Sequence, residues 1–196
     1  MTAAVAGATF VPMNRRDELL SRATDYVLEH GLIGLSLRPL AAELGTSDRM
    51  LVYHFGTKDA LVVALIHSVT ERSNAAVRAL APARTVRAVV VQLWKAHTHG
   101  QLDSCQRCYA QAAATGMLGD QPYRDAVRAA DDVWTGTLAT YLLGCGAPAR
   151  RVNRIVRLVD AGIMGLHLEL QVTQDPTEST RAVADLADAA QHLADA

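Results

Sequence analysis

Two cysteines and two histidines are the residues of this sequence best suited to metal or redox chemistry. Cys105 and Cys108 are three residues apart, which places both thiols on one face of a helix. His97 and His99 lie shortly before them. Thiolates and imidazoles bind Zn²⁺ or Cu⁺, and neighbouring thiols can form a redox-sensitive pair. Residues two apart on a helix diverge by about 200°, so the histidines do not easily share a metal. Since cysteine is also a common core residue, a metal or thiol sensor and simple core packing remain alternatives.

The motifs of common enzyme classes do not occur in the sequence. There is no glycine-rich phosphate loop, no Gly-x-Ser-x-Gly nucleophile elbow and no His-Glu-x-x-His zinc motif. Asp131 and Asp132 are adjacent, so they lie on different faces of a helix and indicate a solvated surface. We therefore expect no enzymatic activity, no bound metal and no cofactor.

Composition favours an all-α protein of ordinary globular size. Half of the 196 residues are hydrophobic and only 5% are aromatic. Three cysteines, an odd number, and the lack of a secretory pattern in residues 1–13 predict a cytoplasmic protein. No apolar run approaches the roughly 18 residues that a membrane span needs, so we expect no membrane association. With a net charge of −1, any attraction to DNA must come from a local basic surface.

Apolar residues recur at helical spacing along most of the chain, and glycines and prolines interrupt them. We expect a turn from Gly100 to Asp103 and a loop from Gly116 to Pro122. Gly162 and Gly165 predict close approach of another helix. The predicted helices are 15–30, 37–44, 48–55, 58–80, 86–99, 104–117, 123–143, 150–172 and 177–194.

Residues 37–58, LRPLAAELGTSDRMLVYHFGTK, have the pattern of a helix-turn-helix. Gly45 ends the first short helix, because glycine adopts a left-handed conformation at little cost. In the second helix Leu51 and Phe55 are four residues apart and face the core, which leaves its polar residues for a partner. Hydroxyl residues suited to N-capping precede the three consecutive helices: Ser36, Ser47 and Thr57.

At these residues the chain resembles the TetR family of bacterial transcriptional regulators. The family pattern around the turn is met by Ser36-Leu37-Arg38-Pro39-Leu40-Ala41, by Gly45-Thr46-Ser47 and by the run from Leu51 to Leu61. The match extends over about 45 residues, including the preceding helix. The resemblance implies a three-helix DNA-binding domain joined to a larger helical ligand-binding and dimerisation bundle. The implied divisions are a flexible arm at 1–13, a DNA-binding domain at 14–58 and a ligand-binding domain at 59–196.

The resemblance also implies which residues meet the DNA. Arg49 suits a guanine edge and Val52 a thymine methyl group, whereas Lys58 can reach a phosphate. Asp48 is useful to DNA only by accepting a hydrogen bond from cytosine; otherwise it favours the start of its helix. A local basic surface would include Arg15 and Arg16. The expected DNA-binding residues are Ser36, Arg38, Ser47, Asp48, Arg49, Val52, Tyr53, His54 and Lys58.

A small-molecule pocket in the C-terminal bundle is a further implication of the resemblance. Its expected lining is Trp94, His97, Cys105, Tyr109, Met117, Trp134 and His167. The function implied is that of a homodimeric repressor that binds a pseudo-palindromic DNA operator and is released by a small-molecule effector. Two alternatives remain: a sensor that uses Cys105 and Cys108, and a helical ligand-binding protein that does not bind DNA.

Overall fold

The computed structural model describes residues 14–196, and the flexible arm expected at 1–13 lies outside them. The fold of this part is all-α, as the sequence predicts. Its helices are α1 (Arg15–His30), α2 (Leu37–Glu43), α3 (Asp48–Phe55), α4 (Lys58–Arg78), α5 (Val86–His97), α6 (Gln101–Met117), α7 (Gln121–Gly144), α8 (Val152–Thr173) and α9 (Pro176–Asp195).

Two predicted helix starts are wrong by a few residues. The turn expected at 100–103 ends at Gly100, whose positive φ of 73° reverses the chain, and α6 begins at once with Gln101. Pro122 lies inside the first turn of α7 rather than in the preceding loop. Proline is tolerated there because the first N–H groups of a helix have no partner within the helix.

Side-chain caps fix the beginnings of the helices around the turn. The Ser47 hydroxyl accepts a hydrogen bond from Met50 N at 3.2 Å, and Thr57 Oγ1 accepts one from Ala60 N at 3.0 Å. Ser36 occupies the N-cap position of α2, but its hydroxyl makes no capping hydrogen bond. The expected cap at Ser36 is therefore absent, and this exposed hydroxyl remains available to a partner.

Two hydrophobic cores support the fold. The first contains Leu51 and Phe55 of α3, continues through Leu61 and Leu65 of α4, and extends to Cys108 of α6. The second lies between α5, α7, α8 and α9. The first core passes residue 58 without a break, so α4 and α6 hold the three N-terminal helices directly.

A small residue, Gly162, allows α8 to pack closely against α9. A Cβ atom at Gly162 would lie 2.6 Å from Leu186 Cδ2, which explains how α8 approaches α9. At Gly165 a Cβ atom would meet nothing within 4 Å, so this glycine does not serve that contact.

Within the described residues, no helix is long and apolar enough to cross a membrane.

Gly116 is the residue where a single methyl group should most disturb the fold. Its Cβ atom would lie 2.9 Å from both the Cα and the N of Arg124, and backbone atoms cannot move aside as a side chain can. We expect Gly116→Ala to lower the free energy of unfolding by about 1–3 kcal/mol, as overpacking does. Urea unfolding monitored by circular dichroism measures this loss.

Gly136→Ala in α7 is the matched control, because nothing lies within 4 Å of a Cβ atom there. This substitution should instead stabilise the helix by about 0.5–1 kcal/mol, since alanine has the higher helix propensity. Equal effects of the two substitutions would contradict the packing that we describe between α6 and α7.

Candidate nucleic-acid interface and ligand cavity

Helix α3 presents one side to the core and the other to solvent. Leu51 is fully buried and Phe55 is 7% exposed, whereas Val52 and Tyr53 are 43% and 77% exposed. Because Leu51 and Phe55 are one helical turn apart, they anchor the helix and leave the remaining side chains outward. A two-turn helix so mounted has the geometry of a recognition helix in a helix-turn-helix.

The structure brings the predicted DNA-binding residues to one end of the molecule, on α2, α3 and the start of α4. All of them are exposed except His54, which is half-buried. The Nε2 atom of His54 is buried without a hydrogen-bond partner in the described chain, so it cannot reach a phosphate without a change of rotamer. Asp48 Oδ1 accepts a hydrogen bond from Arg49 N at 3.0 Å, as expected of a carboxylate that stabilises a helix start.

Charge on this surface comes from a few cations. Within residues 14–196, Arg38, Arg49 and Lys58 form no ion pair. Arg15 is partly neutralised by Glu18, 2.9 Å away, and the guanidinium of Arg16 lies 5.0 Å from the centre of the Phe55 ring. The surface therefore carries cations that are open to a phosphate or a guanine edge.

A cavity lies between α4, α5, α6, α7 and α8, and Leu32 before α2 forms part of its wall. Four of the seven residues predicted for a ligand pocket line it: His97, Cys105, Tyr109 and Trp134. The volume that the centre of a water molecule can reach is about 30 Å³, enough for roughly two waters. In this conformation the cavity cannot hold a drug-sized molecule, since such sites measure about 300–1,000 Å³.

Three predicted pocket residues do not line this cavity. Trp94 is one helical turn from His97 and packs in the second core. Met117 is 82% exposed because it is the last residue of α6. His167 is buried, but its Nε2 atom is engaged with Asp103 Oδ1 at 2.8 Å. Helical periodicity predicts that each of these three residues lies on a helix. It does not show which other helix contacts that side of the helix.

Sequence reasoning missed the two acidic residues of the cavity wall. Asp131 was interpreted as part of a solvated surface, but it is half-buried and lines the cavity beside Trp134, one turn further along α7. Asp160 lines it from α8, and its Oδ1 atom accepts a hydrogen bond from Trp134 Nε1 at 2.7 Å. A single acid within the apolar run of α8 was a signal that could have identified Asp160.

Burial determines the protonation of the other polar groups in the wall. It lowers the pKa of His97 to about 4, so this imidazole is neutral at neutral pH. Its Nδ1–H is assigned as donor to the Leu93 carbonyl, 2.8 Å away. Burial also raises the pKa of the Tyr109 hydroxyl to about 12. Neither residue contributes charge to the cavity near neutral pH.

The two thiols do not have the properties of a sensor. Cys105 and Cys108 are both buried, burial raises the pKa of both, and that of Cys108 reaches about 12. Reactive and metal-binding thiols need the opposite shift. Across residues 14–196 no three histidine, cysteine or acidic side chains are grouped so as to hold a metal ion. The geometry therefore favours core packing and cavity lining for this pair.

One side chain joins the cavity wall to the helix-turn-helix unit. Gln111 Oε1, on α6, accepts hydrogen bonds from the backbone N–H groups of Leu32 at 2.7 Å and Ile33 at 3.0 Å. Gly31 leaves room for this amide, since a Cβ atom there would lie 2.8 Å from Gln111 Oε1. Arg72 of α4 adds a second connection by donating to the Ser21 carbonyl of α1 at 2.9 Å.

Comparison with known proteins agrees with this architecture. Residues 19–65 match the family model described as bacterial regulatory proteins, tetR family. A putative TetR-family regulator from Rhodococcus sp. has a TM-score of 0.72 at 18% identity, covering 92% of this chain and 98% of that one. A TetR regulator from Legionella pneumophila gives 0.69 at 15% identity, covering 90% and 97%. The multidrug binding protein EbrR complexed with proflavin gives 0.67 at 22% identity, covering 89% and 99%. No curated protein matches the chain.

An N-terminal helix-turn-helix mounted on a helical bundle with an internal cavity defines the class of helix-turn-helix transcriptional regulators. Residues 19–65 match the model of the tetR family, and the fold of the described residues is similar to that of TetR-family regulators. Proteins of this family are in general transcription factors without enzymatic activity.

The connection through Gln111 gives a testable contribution to stability. Gln111→Ala removes the acceptor of two N–H groups, one of which belongs to the buried Leu32. We expect a loss of about 1–3 kcal/mol in the free energy of unfolding. Gln111→Glu is the control, because a carboxylate oxygen can still accept both hydrogen bonds. Urea titrations that place the two variants at the same stability would contradict the bridging role.

The burial of His97 predicts a pH dependence. The unfolded histidine titrates near its usual pKa, about 6.5, whereas the folded one titrates at about 4. Between these values only the unfolded state binds the proton, so this residue makes stability fall as pH drops from about 6.5 to 4, by up to about 3 kcal/mol. His97→Leu should remove that part of the slope in urea unfolding measured across this range. An unchanged slope would show that His97 is not a buried neutral imidazole.

Proposed function

We propose that this protein is a transcriptional repressor that binds a pseudo-palindromic DNA operator as a homodimer and is released by a small molecule. The observation that carries the proposal is α3, which is anchored by Leu51 and Phe55 and turns Arg49, Val52 and Tyr53 to solvent. We assign contacts with base edges to Arg38, Asp48, Arg49 and Val52. We assign contacts with phosphates to Ser36, Tyr53, Lys58 and, after a change of rotamer, His54. Ser47 sets the start of the recognition helix.

An apolar seam on α8 supports the dimer. Exposed apolar or small residues follow one another at alternating spacings of three and four, as on a helix that packs against a partner helix. Leu168 and Val172 are 58% and 76% exposed, which is unusual for large aliphatic residues. Gly165 lies in the middle of the seam and allows close approach. The seam consists of Leu158, Ala161, Gly165, Leu168 and Val172.

The size of the cavity and the position of Gln111 support the proposal that a ligand releases the protein from DNA. With about 30 Å³ of free space, the cavity cannot take an organic ligand unless its walls move. One wall is α6, whose Gln111 holds the chain between α1 and α2. Displacement of α6 would therefore move the helix-turn-helix unit and change the distance between the two recognition helices of a dimer. EbrR, which is similar in fold, has been crystallised with proflavin, imidazole and ethidium.

The experiment that tests this function is the selection of bound fragments from a random pool of double-stranded DNA at moderate salt. We expect an enriched palindrome whose half-site centres are roughly 34–36 Å apart or slightly more. A folded dimer that enriches no sequence would contradict operator binding. It would favour the alternative of a helical ligand-binding protein that does not bind DNA.

Two substitutions separate base reading from phosphate contact. Arg49→Ala should cost about 1–3 kcal/mol of operator affinity and relax the preference at one base pair in each half-site. Lys58→Ala should weaken all sequences alike and reduce the salt dependence by about one ion per subunit. Titrations of the selected operator and of base-substituted operators, at several salt concentrations, measure both effects.

Arg150→Ala is the control for these titrations, because it removes an exposed positive charge from the loop before α8. This variant should bind like the wild type. An Arg49→Ala variant with unaltered base preference would exclude Arg49 from base reading, and a sequence-selective loss at Lys58 would exclude a phosphate contact.

A further inference from the structure

The described cavity wall is acidic in an otherwise apolar setting. Asp131 and Asp160 line the cavity together with Ile66, Val69 and other apolar residues, and no arginine or lysine does so. His97, the only histidine of the described lining, is neutral near neutral pH. A buried carboxylate without a cation is costly, because the interior solvates its charge poorly. A positively charged ligand would restore the missing charge balance.

Asp160 is the more isolated of the two acids. Burial and the nearby charge of Asp131 raise its pKa, and the hydrogen bond from Trp134 and the charge of Arg157 only partly oppose this shift. Its described hydrogen bond involves Oδ1 alone. Asp131 already has a cation nearby, since Arg157 Nη1 lies 3.5 Å from Asp131 Oδ2, but that arginine side chain is 71% exposed. Such an exposed ion pair is weak and leaves Asp131 able to face a second cation.

Aromatic rings complete the surroundings of the acids. Trp134 and Tyr109 both line the cavity. The indole of Trp134 is held by its hydrogen bond to Asp160 and by an edge-to-face contact with His97, with ring centres 5.8 Å apart. Aromatic faces attract cations, most strongly where water is excluded. The same wall therefore offers a carboxylate and aromatic rings to one ligand.

We propose that the effector site binds a lipophilic organic cation, with Asp160 as its main counter-ion, Asp131 as a second carboxylate, and Trp134 and Tyr109 as aromatic contacts. This inference rests on the proposed function, whose effector it assigns to a chemical class. An anion would meet two carboxylates, and a neutral molecule would leave Asp160 with its hydrogen bond from Trp134 but without a cation in the cavity. A bare metal ion does not fit either, because the described residues do not group three histidine, cysteine or acidic side chains around one point.

The structure also indicates where space for the cation would arise. A second, smaller cavity of about 10 Å³ lies on the other side of a shared wall that includes His97, Gln106, Trp134 and Asp160. Even when joined, the two spaces are far smaller than an organic ligand site, so α6 must also move, as in the proposed release. Asp160 borders both spaces, so the cation would keep its counter-ion as the site opens.

The test uses pairs of compounds that match in shape and differ in charge, measured by calorimetry near neutral pH without DNA. The pairs, in order of size, are N-methylquinolinium with quinoline and N-methylacridinium with acridine, which differ by one methyl group. We expect at least one cation to bind about tenfold or more tightly than its neutral counterpart, as an added charged contact predicts.

Asp160→Asn should then weaken that cation by about tenfold or more and leave the neutral compound unaffected. The asparagine carbonyl can still accept the hydrogen bond from Trp134, so this variant changes charge more than packing. Asp131→Asn should give a smaller loss in the same direction. Asp132→Asn is the matched control, since it removes the same charge from an exposed neighbour on α7 and should have no effect. Urea unfolding confirms that each variant is folded.

Two results would overturn the proposal: neutral compounds that bind as tightly as the cations in every pair, or an Asp160→Asn variant that binds cations as the Asp132→Asn variant does. These failures are distinct from failure of the proposed function, which the DNA selection tests separately. If only neutral or anionic compounds release the protein from the selected operator, the repressor function stands and the cationic effector is rejected. If cation binding depends on Asp160 but the protein selects no DNA, the cation site stands and the repressor function is rejected.

Discussion

The hydrogen bonds of Gln111 are the interaction on which the account of regulation depends. One amide oxygen on α6 accepts from two consecutive backbone N–H groups in the chain that leads into α2. The same helix supplies the cavity wall through Cys105, Gln106 and Tyr109. Because hydrogen bonds connect successive turns of a helix, we expect a displacement of α6 at the cavity to reach Gln111, about one turn away. The first hydrophobic core reinforces this connection, because it runs from α3 through α4 to α6 without interruption.

Under the proposed function, the small volume of the cavity indicates which functional state the described conformation represents. A packed interior resists insertion, because close-packed side chains fill nearly all of the space. Under the proposed function, the described conformation corresponds to the state without ligand, and a bound molecule would stabilise a different arrangement of α6, α7 and α8. If operator binding favours the closed arrangement, ligand and operator oppose each other through a single coupling free energy, typically about 1–3 kcal/mol. The two sites need not touch each other. It is sufficient that ligand and operator each bind one of the two arrangements more tightly than the other.

The two sites differed in how far the sequence could predict them. The recognition helix is a local structure: its cap at Ser47, its anchors at Leu51 and Phe55 and the glycine at 56 lie within ten residues, and the structure has all of them. The cavity instead requires five helices to meet, and helical periodicity does not specify which faces become neighbours. For that reason Met117 was expected inside and is exposed, whereas Asp131 was expected at the surface and lines the cavity. Gln111 carries no sequence signal at all, because its partners are backbone groups 78 and 79 residues away.

The most direct test of the account measures operator affinity and ligand affinity on the same protein, each with the other partner absent and then saturating. A ligand shown by calorimetry to bind the wild type, the operator obtained by selection and the Gln111→Ala variant are sufficient. The account predicts that ligand weakens operator binding by about 5- to 150-fold and that operator weakens ligand binding by the same factor. It also predicts that this factor shrinks in Gln111→Ala. Operator affinity that stays constant while the cavity is saturated would contradict the central claim that cavity and recognition helix share one equilibrium.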